Sequence, residues 1–140
     1  MLELNATQIR NEWSTIVDSV VREKPVIFKR TRDRMVLSDI GFINELLAAY
    51  VFHVRLFTEE NGTVTASLDE IDIVENGETE FYAKKKLAES IVEYSEDYYN
   101  DFSYWSRGDR KSHIPYVFKA LLIKDADKIG GSFICRHGET

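Results

Sequence analysis

The stretch from Leu2 to Leu47, LELNATQIRNEWSTIVDSVVREKPVIFKRTRDRMVLSDIGFINELL, decides how the rest of the chain is read. Its pattern predicts strand, helix, strand, turn, strand, helix. Leu2–Leu4 is apolar, acidic, apolar, as a short strand with two faces is. Asn5 or Thr7 can cap the first helix, because a short polar side chain accepts a hydrogen bond from an unpaired N–H of the first turn. Ile9, Trp13, Ile16, Val17, Val20 and Val21 then recur at the spacing of one helical face. Pro25 has no N–H to donate and stops this helix. Val26, Ile27 and Phe28 form the next strand, Lys29-Arg30-Thr31-Arg32-Asp33-Arg34 a charged turn, and Met35, Val36 and Leu37 the third strand. Ser38 or Asp39 can cap a second helix, whose apolar face carries Phe42, Ile43, Leu46 and Leu47.

The segments LELNATQIRNEWSTIVDSVV, PVIFKRTRDRMVLSD and IGFINELL together resemble the N-terminal domain of the Phd/YefM antitoxins of bacterial toxin–antitoxin systems. What matches is the order: a strand, a helix with an early Arg, a strand ending in Arg, a basic turn, a strand, and a helix opening at Ser/Asp. The resemblance covers about a third of the chain and implies a β-α-β-β-α domain at residues 1–48 that dimerises and binds its own operator. It implies DNA contacts from Arg10, in the first helix, and Arg30, at the end of the second strand. Lys29, Arg32 and Arg34 join them as neighbours in the basic turn. An arginine fork fits guanine O6 and N7, so Arg10 is the candidate for reading bases, and the turn residues are candidates for holding phosphates. A unit of under fifty residues buries too little to be stable alone. Trp13, Val17, Val20 and Val21 are therefore the expected dimerisation surface, in a homodimer or a higher even oligomer. Family members typically end in a short tail; here some ninety residues with the pattern of a second fold come after the domain.

Charge divides along the same line. Residues 1–48 carry seven Lys/Arg and seven Asp/Glu, and the remainder carries eleven against seventeen, which accounts for the whole net charge of −6. A basic edge on a neutral domain beside an acidic remainder fits DNA at one end and a basic protein at the other. The competing reading of Lys29–Arg34 is an ordinary charged hairpin turn. At 44 % hydrophobic and 12 % aromatic the chain can bury a core, so general disorder is excluded. No run approaches a membrane span, no signal peptide is visible, and the single cysteine, Cys135, rules out an internal disulfide framework. A cytoplasmic protein with no membrane partner is expected.

After Ala48-Ala49 helical spacing gives way to strand alternation. Tyr50–Phe57 alternates between two faces, Glu59-Glu60-Asn61-Gly62 is a hairpin signal, Thr63–Leu68 alternates again, and Ile71, Ile73 and Val74 predict a third strand closed by Asn76-Gly77. Thr79 can cap a long helix running to about Phe102. The segments FHVRLFTEENGTVTASLDEIDIV and NGETEFYAKKKLAESIVEYSEDY resemble the start of a HicB-like antitoxin domain, a small α/β unit of double-stranded-RNA-binding-like or partial ribonuclease H topology. That implies an α+β chain in which residues 49–140 form a three-stranded antiparallel sheet plus a long helix. A pattern-level departure is Asp69-Glu70-Ile71-Asp72, where a Pro-Gly-Cys-like turn is usual. Ser112 can cap a last helix that accepts Pro115 in its first turn, Gly130-Gly131 ends it, Ser132–Arg136 can be a last strand, and His137–Thr140 reads as a frayed tail.

The long helix carries two stripes. Leu87, Ile91, Tyr94, Tyr98 and Phe102 are apolar or aromatic; Glu89, Glu93, Glu96, Asp97 and Asp101 are acidic, with no Lys or Arg between Glu89 and Asp101. One reading is a core face opposite a solvated face. The other is a surface for a basic partner, with Glu93, Asp97, Tyr98, Tyr99, Phe102, Tyr104 and Trp105 as contacts, since aromatics supply desolvated anchors and acids attract an RNA-cleaving protein's basic surface. Catalytic and metal chemistry finds no constellation: His53, His113 and His137 are scattered, Cys135-x-His137 is isolated, and there is no phosphate loop or nucleophile elbow. The acids Asp69, Glu70, Asp72 and Glu75 read as solvated edges. The leading expectation is a non-enzymatic, cofactor-free type II antitoxin that binds a cognate toxin, a small basic ribonuclease, and represses its own operon on operator DNA. The alternatives are a stand-alone DNA-binding regulatory or structural module without a toxin, and a small nuclease of ribonuclease H type.

Overall fold

Residues 1–138 are described by the computed structural model. They divide into two units, the first Met1–Leu46 and the second beginning at Leu47. The first opens on strand β1 (Glu3–Asn5), and Asn5 rather than Thr7 caps the helix after it. Its side-chain oxygen accepts from the Gln8 N–H at 2.8 Å while the Gln8 side chain accepts from the Asn5 N–H at 3.0 Å, a reciprocal capping box. The single helix expected here is two: α1 (Ala6–Asn11) and α2 (Trp13–Arg22), parted at Glu12, whose φ of −118° and ψ of 27° leave the helical region. The break shifts the phase of the stripe. Ile9, Ile16 and Val20 stay buried with Val26, whereas Trp13 is 52 % exposed and Val21 is exposed too.

Strands β2 (Val26–Arg30) and β3 (Asp33–Leu37) pair antiparallel, and β1 lies parallel on the other side of β2. The two-residue turn between them is Thr31-Arg32, with Thr31 at φ 57°. A β-branched residue is strained there, which glycine would not be. Helix α3 (Ile40–Leu47) begins after Asp39, whose carboxylate accepts from the Gly41 N–H at 2.9 Å. Of its expected apolar face Ile43 and Leu47 are half-buried and Phe42 and Leu46 exposed, and no residue of α3 is fully buried.

The second unit holds β4 (His53–Thr58), β5 (Val64–Leu68), β6 (Ile73–Gly77), α4 (Glu80–Asn100), α5 (Phe102–Trp105), a 3₁₀ turn (Gly108–His113), α6 (Ile114–Ile123), α7 (Ala126–Gly131) and β7 (Ile134–His137). The sheet runs β6-β5-β4-β7, antiparallel except for β7, which lies parallel to β4. The unit is thus a four-stranded sheet rather than the three-stranded one expected. Helix α4 lies between this sheet on one side and α6 and α7 on the other. Phe52, Val54, Leu56, Ala66 and Leu68 meet Leu87, Ala88 and Ile91 of α4 in one core that Ala120 and Ile129 complete.

Several boundaries differ from the sequence reading for physical reasons. Gly77 does not turn the chain after β6; it ends the strand itself, because a Cβ there would sit 2.4 Å from the Ala83 backbone nitrogen. Ile71 is buried in the turn before β6, not in the strand. Helix α4 stops at Asn100, since Asp101 (φ −132°, ψ 56°) breaks it before Phe102. The last helical segment is two helices, with Asp125 capping α7 by accepting from the Asp127 and Lys128 N–H groups. His137 closes β7 and the Gly138 N–H donates to the Leu56 carbonyl at 2.8 Å, so the predicted frayed tail is ordered there; Glu139 and Thr140 lie outside the described residues. No helix among the described residues is long and apolar enough to cross a membrane.

Candidate functional site

Each unit exposes side chains that its own folding does not consume. In the first, cross-strand register sets Lys29 opposite Arg34, a like-charge pair that would repel. Glu3 of β1 lies between them, with its carboxylate 3.2 Å from the Lys29 ammonium and hydrogen-bonded by the Arg34 guanidinium. Arg34 first and Lys29 second hold that carboxyl below the usual carboxylate range. Arg30 pairs loosely with Asp33, at 3.9 Å, beside the turn. Arg10, in the last turn of α1, and Arg32, in the turn, are exposed and make no ion pair among the described residues. Of the five expected DNA contacts, then, Lys29 and Arg34 are brought together on Glu3, Arg30 is tied to Asp33, and Arg10 and Arg32 are free.

Of the expected dimerisation residues, Trp13 and Val21 are exposed, Val17 is half-buried, and Val20 belongs to the unit's own core. Val20 is corrected on that ground: at 6 % exposure it packs against Ile9, Ile16 and Val26 and cannot face a partner. The sequence gives no sign that Met35, Val36, Ile40, Phe42 and Leu46 also remain exposed. An apolar face on a helix pattern says that something covers it, not whether that cover lies within the same unit.

In the second unit the aromatic end of α4 sorts into two sets. Tyr98 is fully buried and its hydroxyl donates to the Arg110 carbonyl at 2.6 Å. This corrects its expected place among the toxin contacts: its helical phase points it at the core. Trp105, half-buried, stacks on Tyr98 at 6.4 Å between ring centroids and lies under the Arg110 guanidinium at 4.6 Å. Arg110 also covers Tyr104, at 5.0 Å, and cation–π contacts of this kind fix the loop after α5. Tyr99, 58 % exposed, and Phe102 stand edge-on to Phe118 of α6. Glu93, Asp97, Tyr99, Phe102 and Tyr104 are therefore the expected contacts that reach solvent.

Beneath them Tyr94 places its hydroxyl 2.7 Å from Nδ1 of His113. Burial is the first cause of a lowered His113 pKa; Asp72 opposes it and Arg110 reinforces it. Burial likewise raises the Tyr94 and Tyr98 phenols. A neutral imidazole accepting from the Tyr94 hydroxyl is the arrangement this favours. Elsewhere, Asp69 bridges Arg55 (2.9 Å) and Arg136 (3.0 Å), and Glu70 accepts from the backbone N–H of His53. Among the described residues no three His, Cys, Asp or Glu side chains come together as a metal site, and burial raises rather than lowers the Cys135 thiol pKa.

Comparison with known proteins identifies the family. The PHD-like family model, described as "Antitoxin of toxin-antitoxin, RelE / RelB, TA system", matches residues 1–133. The chain belongs to this antitoxin family. A crystal structure of a protein from Syntrophomonas wolfei subsp. wolfei, described as the antitoxin part of a proposed toxin/antitoxin system, is similar over 99 % of this chain and 100 % of its own, at 37 % identity and a TM-score of 0.91. A search of curated proteins finds no match. An antitoxin implies a cognate toxin as partner. The mixed α+β fold, with two sheets and seven α-helices among the described residues, is that of an antitoxin.

Proposed function

We propose that this antitoxin neutralises its toxin by direct binding through the second unit and represses its own operon by binding DNA as a dimer through the first. It acts by binding and not by catalysis, and its toxin is a small basic ribonuclease in the cytoplasm. The observation that carries the reading is the separation of unused charge. The free cations Arg10 and Arg32 belong to the first unit, while the exposed acids of α4 and the exposed aromatics Tyr99, Phe102 and Tyr104 belong to the second.

Dimerisation is supported by the size of the first core. Four buried hydrophobic residues hold 46 residues, while Trp13, Val21, Ile40, Phe42 and Leu46 stay exposed. So many exposed apolar side chains on so small a unit are normally covered. The Phd/YefM-like character of this unit is supported by its β1-β2-β3 sheet with α1 and α2 inserted after β1. The HicB-like, partial ribonuclease H character of the second is supported by three antiparallel strands followed, after the helices α4 to α7, by a strand parallel to the first of them.

Co-expression with the product of the adjacent reading frame, followed by purification, tests the first half; mobility shift on the upstream DNA tests the second. A stable complex with the adjacent protein and a shift that weakens with salt and with Arg10→Ala are expected. A chain that purifies alone and leaves the upstream DNA unshifted refutes the reading.

A further inference from the structure

Helix α4 has a third face, between the stripe that enters the core and the acidic ridge that faces solvent. Phe81, Lys85, Ala88, Val92, Glu96 and Tyr99 succeed one another along it at intervals of three or four residues. Two cavities open on this face. The first, about 410 Å³, lies between α4 and α7, with Lys84 and Lys85 on one wall and Ala126, Asp127, Gly130 and Gly131 on the other. The second, about 290 Å³, lies between α4 and α6, with Val92, Ser95 and Glu96 facing Ala120, Leu121 and Lys124. Lys124 borders the second and Ala126 the first, two residues apart at the α6–α7 junction, and the two cavities follow one another along α4 as an interrupted groove.

Small side chains keep the groove open. A Cβ at Gly130 would touch Ala88 at an ordinary 3.6 Å, and one at Gly131 would meet nothing. Phe81, 65 % exposed, lines the first cavity, and Tyr99, 58 % exposed, follows the second along the same row of α4. Ser95 is completely buried in its wall, and its hydroxyl has no hydrogen-bond partner among the described residues. A buried hydroxyl is rarely left so, because the lost bond to water is not replaced. Charges of both signs line it, Lys84, Lys85 and Asp127 at the first cavity and Glu96 and Lys124 at the second. Lys85 makes no ion pair among the described residues, Lys84 is partnered only by Glu80 at 3.7 Å, and Glu96 is likewise unpaired. Phe81 to Tyr99 spans about 27 Å at 1.5 Å per residue, the length of a five-turn helix.

We infer that this groove receives one amphipathic helix of the toxin. Apolar side chains of that helix fill the two cavities, a polar side chain reaches Ser95, an acidic residue meets Lys85, and a basic residue meets Glu96. Helix-in-groove recognition has this form, with anchors at intervals of three and four residues. The acidic ridge of Glu89 and Glu93 then steers the encounter, and the groove supplies the contact that excludes water. The inference rests on the reading that the second unit binds the toxin.

The test uses the full chain and the co-expressed product of the adjacent reading frame. Gly131→Trp fills the first cavity from an exposed, unobstructed position, and Lys85→Glu reverses a charge on its wall. Each is expected to weaken the complex about tenfold or more, the effect of losing a central contact, while the variant's own melting temperature stays within a degree or two of the parent's. A photo-reactive benzoyl-phenylalanine at position 85, and another at 124, should cross-link to a single toxin segment of about 18 residues or fewer. Unchanged affinity of both variants would overturn the groove, and so would cross-links scattered over the toxin. If Gly131→Trp instead dissociates a homo-oligomer of this chain in light scattering, the occupant is a second copy and the proposal falls. If the parent chain captures no adjacent product, the toxin-binding reading itself has failed.

Discussion

Tyr98 and Tyr99 are neighbours in sequence with opposite fates, and replacing each in turn should separate packing from recognition. Tyr98 is fully buried against Tyr94, Phe102 and Trp105, and its hydroxyl donates to the Arg110 carbonyl. Removing only that hydroxyl, Tyr98→Phe, leaves the carbonyl short of a donor and should cost about 1–3 kcal/mol. At about 4–8 °C per kcal/mol for a domain of this size, the melting transition of the second unit should drop by roughly 4–24 °C. Tyr98→Ala should cost about 3–5 kcal/mol and bring the unit close to unfolding. Tyr99→Ala exposes no cavity, since the ring already lies 58 % in solvent against Phe118, and should change stability by less than about 0.5 kcal/mol. Its effect belongs in toxin affinity. Scanning calorimetry on the free antitoxin, with binding measured in parallel, resolves the two. Equal melting temperatures for Tyr98→Phe and Tyr99→Ala would show that the distinction drawn from burial is mistaken.

The geometry sets three further outcomes. Glu3→Gln should release Lys29 and Arg34 for phosphate, tightening binding to the upstream DNA several-fold and steepening its salt dependence; unchanged affinity and slope would remove the hairpin from the DNA interface. His113 has a lowered pKa in the folded state, so between that value and the ordinary one near 6.5 the unfolded chain binds more protons. The second unit should therefore lose stability as pH falls through about 6.5 and below, and His113→Asn, which keeps an acceptor for the Tyr94 hydroxyl, should flatten that slope in urea titrations. Gly77→Ala should destabilise the second unit by several kcal/mol, on the order of an overpacked core site, because the new Cβ would press on the Ala83 backbone at 2.4 Å; a melting temperature equal to the parent's contradicts the close approach of β6 to α4.

The elements were legible in the sequence wherever a local rule acts alone. The alternation in β4 and β5, the stop at Pro25, the cap at Thr79 and the stripe of Leu87 and Ile91 each depend on neighbours within a few positions, and the structure shows those elements. The antitoxin character was legible too, because it lies in the order of such elements. The break at Glu12 was not: an uninterrupted helical period runs through it, and only the backbone angles there show that the stripe changes phase.

What only the tertiary structure decided is which side of a pattern meets solvent and which meets another element. Periodicity placed Tyr98 in an apolar-aromatic stripe and Tyr99 beside it, and either could have been an anchor; the cover of α6 and the Arg110 loop settles it. Asn76-Gly77 carries the local signature of a turn, yet the glycine is required by the approach of α4, whose Ala83 nitrogen would lie 2.4 Å from any Cβ placed there. Charge composition gave a basic hairpin, but Glu3, more than twenty residues away along the chain, determines which of its cations remain free. Local preference is written in adjacent residues. Burial and pairing are properties of distant residues brought together, and the sequence states them only through the fold.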